Sequence, residues 1–299
     1  MNKLAALATA LCAAVIAPAA AQDFSNVEIR TTQLGKTVYM LQGAGGNIGV
    51  SAGDDSVFVV DDQFAPLTPK ILAAIGKVSA KPVQFVVNTH WHSDHTGGNQ
   101  NMGKAGAIIV AHENVRRRMN SEQFIEFMKM KEPASPRAAL PIVTFGGSLS
   151  FHLNGEEIRV VHVPRAHTDG DAIVHFMDSD VVHMGDIYFN GMYPFIDYSS
   201  GGSIDGVIAA CDIAIGMMTD KTKVIPGHGP LANRESLRAY RDMLRTVMSR
   251  VRVAVSEGKT DEEIVNAGLT KDLDEQWGKG FIKPFQFAPM IAAGMRKTK

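Results

Sequence analysis

The chain has 299 residues, 45% of them hydrophobic and 20% charged, enough apolar side chains for one large core or two closely joined halves. With 30 basic and 31 acidic side chains the formal charge is −1, which excludes a chain-wide field drawing it to nucleic acid or an anionic membrane. Any preference for a charged ligand must be local, and a small-molecule substrate is the expected partner.

Residues 1–21 place Lys3 before an apolar run and end on Ala19, Ala20 and Ala21, the layout of a cleaved secretory signal. The run is too short to span a bilayer, so the expectation is a periplasmic or secreted protein without stable membrane insertion, its mature part a single domain over 22–299. Cys12 follows the bulky Leu11 and is not read as a lipid-attachment site. That leaves Cys211 as the one mature cysteine, without an intramolecular disulfide. It lies within Val207-Ile208-Ala209-Ala210-Cys211-Asp212-Ile213 and reads as a buried helix residue.

Along the chain, strands repeatedly lead into polar loops. Ser56 to Val60 runs into Asp61 and Asp62. Thr68 as N-cap with Pro69 at the first helical position predicts a helix to about Val78. The β-branched and aromatic run Val83 to Val87 predicts a strand delivering Thr89 and His90. Residues 116–141 are less regular: Arg116, Arg117 and Arg118 read as a solvated helix face and Phe124 to Met130 as core, in a segment that can also cover a site. Further strands are expected over Ile158 to Val163, Asp180 to Met184 and Lys223 to Ile225. Helices are expected from Ser203 to Met218, from an Asn233 cap to Ser256, and after a Thr260/Glu263 capping box. The tail from Lys271, with Trp277, Phe281, Phe285 and Phe287, is expected to pack on the domain or form a dimer contact.

The chemistry concentrates in Thr89-His90-Trp91-His92-Ser93-Asp94-His95-Thr96-Gly97-Gly98, where three imidazoles and a carboxylate crowd one loop. Imidazole nitrogen suits zinc, and carboxylate oxygen is a compatible partner. If the segment is extended, alternate residues point the same way, so His90 and His92 serve one ion while Asp94 and His95 face a second. Gly97 and Gly98 allow a sharp turn and close backbone approach. Downstream, His167, Asp186 in Met184-Gly185-Asp186, and His228 in Pro226-Gly227-His228-Gly229 each follow a predicted strand, which would bring all of them to one edge of the sheets. His112, His152, His162, His175 and His183 match no ligand pattern and are assigned structural or surface roles. Asp61, Thr89 and Thr168 are candidates for fixing imidazole tautomers.

Together and in this order, these motifs resemble the metallo-β-lactamase superfamily, over about residues 27–255. The resemblance implies an α+β fold, an αββα sandwich of two mixed sheets between helices. It implies two Zn²⁺ ions, the first held by His90, His92 and His167, the second by Asp94, His95 and His228, with Asp186 bridging. Secreted zinc β-lactamases similar to this chain carry a cysteine where Asp186 stands, with a lysine soon after. Here Ile187, Tyr188, Phe189 and Asn190 follow, so no lysine stands there to grip a drug carboxylate.

The activity so implied is hydrolysis, a metal-bridging hydroxide attacking a carbonyl. Asp94 would relay its proton, and Tyr188 and Asn190 are candidate donors to the oxyanion. Export favours a β-lactam as substrate, while Asp186 fits lactones, other esters or thioesters. From other classes, an iron-dependent redox enzyme and a non-enzymatic zinc-binding protein compete. Oxygen-reducing relatives usually carry a glutamate where this chain has His92, and a purely binding role leaves open coordination positions without a use.

Overall fold

A computed structural model describes residues 23–297; the expected signal segment lies outside these residues. Strands β1 (Arg30–Gln33), β2 (Val38–Gln42), β3 (Ile48–Ala52), β4 (Val57–Val60), β5 (Val83–Val87) and β6 (Ile108–His112) build most of the first sheet. A hairpin of β7 (Gln123–Ile125) and β8 (Met130–Glu132) stands apart before β9 (Val143–Phe145) completes the order β1-β2-β3-β4-β5-β6-β9. The second sheet runs in chain order through β10 (Ser148–Leu153), β11 (Glu156–His162), β12 (Ala172–Phe176), β13 (Val181–His183), β14 (Lys223–Ile225) and β15 (Ala232–Asn233). Both sheets are mixed: β4, β5, β6 and β9 are parallel neighbours in the first, β13 and β14 in the second.

The period-two alternation of strand side chains explains the layering. In β4, Phe58 and Val60 point between the sheets and meet Ile158, Val160, Val174 and Phe176 from the second. Val57 and Val59 point outward onto helices α1 (Thr68–Ile75) and, beyond the intervening α2 (Ser93–Thr96), α3 (Asn99–Lys104), through Ile71, Ile75 and Met102. With both faces covered, β4 is apolar at every position, the pattern of a doubly buried parallel strand. After α4 (Glu113–Met119), the outer face of the second sheet is covered by α5 (Ile204–Met217) and α6 (Arg234–Ser256). Leu237, Tyr240, Leu244, Val247 and Val251 recur three or four residues apart and form the buried stripe of α6. The architecture is therefore the αββα sandwich.

Several local readings hold. The Ser203 hydroxyl caps α5 by accepting from Gly206 N at 3.0 Å, and Asn233 Oδ1 caps α6 through Ser236 N at 2.9 Å. Thr260 and Glu263 form the reciprocal capping box of α7 (Asp261–Asn266). Cys211 is fully buried and free, its thiol pushed up by burial. After α8 (Asp274–Trp277), the tail helix α9 (Pro284–Lys297) packs on the domain: Phe287 stacks on Tyr193 with ring centroids 4.3 Å apart, and Trp277 is buried, while Phe281 and Phe285 are exposed.

Others need correction. Thr68 is not the cap of α1, because a 3-10 turn over Ala65–Leu67 precedes it and moves the helix start back. The arginines are not simply solvated: Arg116 reaches the Pro141 carbonyl, and Arg118 forms a two-bond pair with Asp169 at 2.8 Å each. The Phe124 to Met130 stretch is not core throughout, since Phe124, Met128 and Met130 are exposed on the β7–β8 hairpin. No helix among the described residues is long and apolar enough to cross a membrane.

Candidate metal centre

The site forms where strand ends converge. Parallel pairing of β4 with β5 aligns Val60 with Val87, so Asp61 and the segment leading to His90 emerge side by side. Parallel pairing of β13 with β14 aligns His183 with Ile225 and does the same for Asp186 and His228. The two sheets are stitched together here: Asn47 N donates to Gly227 O at 2.7 Å, Asn47 Nδ2 to Pro226 O at 2.9 Å, and Ala172 N to Thr89 O at 2.8 Å. His183 Nε2 adds a bond to Asn47 O at 3.0 Å. Asn47 had no signal in the sequence, being one polar residue beside glycines.

One nitrogen or oxygen from each of His90, His92, His167 and Asp186 lies within 4.8 Å of the others, and the same holds for Asp94, His95 and His228. The seven sequence-derived candidates thus assemble as two adjoining sets, but not by strand alternation. β5 ends at Val87; His92 is the N-cap of α2, and Asp94 and His95 project from that short helix. Asp186 stands between the sets. Its Oδ1 lies 3.0 Å from His95 Nε2 and 3.2 Å from His228 Nε2, its Oδ2 3.6 Å from His167 Nε2 and 3.8 Å from His90 Nε2. Asp94 Oδ2 is 3.2 Å from His228 Nε2 and 3.6 Å from His95 Nε2.

Glycines make this closeness feasible. A Cβ on Gly227 would sit 2.1 Å from Asp186 Oδ1, and one on Gly46 2.1 Å from the His95 ring. Gly97 and Gly98 have ordinary right-handed conformations, so no sharp turn requires them. They are there for close approach: a Cβ on either would press on the backbone of residues 62–63 at 2.7 to 2.8 Å.

The far ring nitrogens are held by partners that fix each imidazole. Asp61 Oδ2 meets His95 Nδ1 at 2.7 Å and accepts from Thr89 Oγ1 at 2.7 Å; Thr89 Oγ1 in turn lies 3.0 Å from His90 Nδ1. His167 Nδ1 is 2.9 Å from Phe195 O. Asp61 and Thr89 therefore stand where the sequence reading puts them. Thr168 does not: its hydroxyl and amide donate to Asp171, at 2.6 and 2.8 Å, and brace the His167 loop instead of an imidazole. The partner of His92 Nε2 is Asp197, at 3.1 Å, missed from the sequence. Its Oδ1 also accepts from Ser199 N and Ser200 N, so the only local signal in Asp197-Tyr198-Ser199-Ser200 is that of an ordinary capped turn.

The electrostatics agree with a cation-holding cluster. Burial pushes His90 well below the usual imidazole range and His167 to about 4, which leaves both rings neutral as metal ligation requires. Burial works against protonation of His95 and His228 too, but the facing carboxylates of Asp186 and Asp94 overcome it, raising His95 well up and His228 to about 9. The site thus draws positive charge into itself. His90 Nε2 is buried with no hydrogen-bond partner, and His167 Nε2 faces His92 Nδ1 at 2.9 Å. A buried nitrogen without a partner is costly, and a cation placed among these lone pairs satisfies it. The donor set of imidazoles and carboxylates fits a pair of borderline divalent ions.

A cavity of about 520 Å³ opens over Asp94, Asp186, His92 and His228. Phe64, Trp91, Ile125, Met130, Phe189 and Phe195 form its walls, with Met128 and Phe281 also lining it, so the hairpin of residues 123–132 covers one side. Tyr188 and Asn190 are not among the lining residues. Tyr188 is fully buried against Tyr240 and donates to Asn190 Oδ1 at 2.8 Å, while Asn190 Nδ2 donates to Pro230 O at 2.9 Å. The expected role of this pair toward an oxyanion is corrected: core packing turns the tyrosine away and uses the amide to hold the His228 loop. Glu132 is the one ionisable side chain of the lining outside the seven-residue cluster, its carboxyl raised by burial.

The sequence model of the metallo-beta-lactamase superfamily matches residues 42–247. A metallo-beta-lactamase from Pontibacter korlensis superposes with a TM-score of 0.59 at 18% identity, covering 73% of this chain and 99% of that one. A linear primary-alkylsulfatase of a Pseudomonas species is 22% identical across 77% of this chain, which spans about half (52%) of that enzyme's length. A hydroxyacylglutathione hydrolase of a Polaromonas species is 24% identical, with 78% of this chain and 79% of the relative covered.

Proposed function

The chain belongs to the metallo-beta-lactamase superfamily, and from that premise we propose that it is a dinuclear zinc hydrolase of carbonyl compounds with an apolar body and no acidic group, foremost carboxylic esters and lactones. The observation that carries this is Asp186, whose two oxygens face two separate sets of ligand atoms. In this reading His90, His92 and His167 hold the first ion, Asp94, His95 and His228 the second, and Asp186 both. Ions bound there would supply Lewis acidity and a water of lowered pKa.

The protein's own groups do the rest. Asp94 is the more exposed carboxylate of the cluster and lines the cavity, so it can take a proton from the attacking water and return it to the leaving atom. Asp61, Asp197 and the Phe195 carbonyl keep the rings from turning. The aromatic and methionine walls exclude water and bind an apolar acyl or alkyl group. A β-lactam, the other substrate class suggested by the resemblance, places a carboxylate in a cavity lined by no lysine or arginine among the described residues. The sulfate of an alkyl sulfate meets the same obstacle. The reading extends to export, supported by the signal-like residues 1–21.

The test is turnover of p-nitrophenyl butyrate, a γ-lactone and a chromogenic cephalosporin by zinc-loaded protein from Gln22 onward, each against a chelated control. Zinc-dependent hydrolysis of the ester or lactone, with the cephalosporin slow, is the expected result. Fast cephalosporin turnover with inert esters would replace the ester reading by the β-lactam one.

A further inference from the structure

The cavity wall carries one unexplained charge. Glu132, at the end of β8, lines the cavity among aromatic and methionine side chains. It is half-buried, and among the described residues no hydrogen bond or ion pair engages its carboxylate. A second small cavity of about 190 Å³ adjoins it, lined by Glu132, Trp91 and Ser93 in common with the first. The nearest arginine there, Arg118, is committed to Asp169. The Trp91 indole is buried, and its Nε1–H has no acceptor.

A half-buried carboxylate without a hydrogen bond, attracted by the His92 ring but repelled by Asp94 across a largely apolar cavity, gains from a cationic ligand. The surrounding groups select the kind of ligand. Phe64, Trp91, Phe189, Phe195 and Phe281 all line the cavity, where aromatic rings can attract a cation through their quadrupoles, although Phe189 and Phe195 also stack on His228 and His92, and an acid among them adds an opposite charge. Outside the histidines of the metal-ligand cluster, the lining among the described residues offers an anion no lysine or arginine. We propose that Glu132 is the specificity-determining residue of this site, selecting a substrate that carries an organic ammonium group beside the bond to be cleaved. The inference rests on the reading of the site as a hydrolase and narrows its substrate class.

Binding separates the two. Hexyltrimethylammonium, which cannot coordinate zinc, is titrated calorimetrically into the zinc-loaded protein beside hexanol, with wild type, Glu132→Gln and Glu132→Lys. Wild type is expected to hold the cation tighter than hexanol, and Glu132→Gln to weaken it about tenfold or more, the scale of one ion pair in a half-screened pocket. In parallel, the ratio of kcat/KM for p-nitrophenyl 4-(trimethylammonio)butyrate to that for p-nitrophenyl 5,5-dimethylhexanoate is expected to fall by a similar factor in Glu132→Gln. Equal binding of cation and alcohol by wild type, or an unchanged cation affinity in Glu132→Gln at an unchanged thermal midpoint, overturns the proposal. If neither ester is hydrolysed yet the cation binds through Glu132, the hydrolase reading fails and the ammonium site stands.

Discussion

Asp197 Oδ2 lies 3.1 Å from His92 Nε2, while Nδ1 of the same ring meets His167 Nε2 at 2.9 Å. One face of the imidazole is thus anchored to a carboxylate and the other offered to the cluster. Burial would raise the Asp197 carboxyl, but its bonds to His92, Ser199 and Ser200 hold it well below the usual range, so it is an anion at every physiological pH. Replacing it by asparagine keeps the turn and removes the charge. Asp197→Asn is expected to weaken zinc binding about 10- to 100-fold, measured by competition with a chromophoric chelator. Unchanged affinity would show that His92 is oriented by packing alone.

Asp186→Ala removes the carboxylate whose Oδ1 faces His95 and His228 and whose Oδ2 faces His167 and His90. The expected result is fewer than two zinc ions per chain by elemental analysis, together with loss of turnover. Two ions retained at wild-type affinity would refute the bridging role.

Gly227→Ala places a methyl 2.1 Å from Asp186 Oδ1 and 2.6 Å from the Gly185 backbone. Because the clash is with main chain, relaxation is restricted, and a loss of about 1–3 kcal/mol in a urea denaturation is expected. The metal content should fall with it. Gly146→Ala, where nothing lies within 4 Å of the added methyl, is the control.

Tyr188→Phe and Asn190→Ala should alter stability and not chemistry. Loss of the 2.8 Å bond between them is expected to cost about 1 kcal/mol. Ester turnover at saturating zinc should stay close to wild type in Tyr188→Phe. A large fall in kcat there would restore the oxyanion role that the fold argues against.

Stability should also decline in mild acid for a reason apart from the metal ligands. His183 is buried, with Nε2 bonded to Asn47 O and Nδ1 accepting from Gly185 N at 3.2 Å, so the neutral ring satisfies both partners. Burial holds its pKa below the ordinary value of about 6.5. Below that pH the unfolded chain takes up a proton that the folded chain refuses. Stability present above about pH 6.5 is therefore lost as pH falls toward the depressed folded value. Between about pH 7.5 and 5.5, His183→Gln should lose less of its denaturation midpoint than wild type does. An equal loss would place the acid sensitivity elsewhere, at His112, His175, His90 or His167, which burial also depresses.

The candidate metal ligands were legible because their chemistry is a matter of residue type at short range: His90 to His95 form one loop, and His167, Asp186 and His228 each follow a β-branched run. Asp197 was not, since its contact with His92 spans 105 positions and its neighbours spell only a turn. Glu132 was hidden likewise, just beyond the Phe124 to Met130 stretch whose apolar composition suggested core. The hairpin exposes that segment because its strands pair only with each other and join neither sheet.

By itself the sequence determined the donor atoms, the capped ends of α5, α6 and α7, and the strands that are apolar at every position. Each of these depends on interactions within a few residues, or on burial that residue type alone announces. The tertiary structure decided where those groups point. Parallel pairing of β13 with β14 brings Asp186 against His228, and contact with Tyr240 turns Tyr188 into the core. The hairpin brings Glu132 to the wall of the largely apolar cavity over Asp94 and His92. Orientation and partnership are set by strands and helices distant in the chain, so no local pattern carries them.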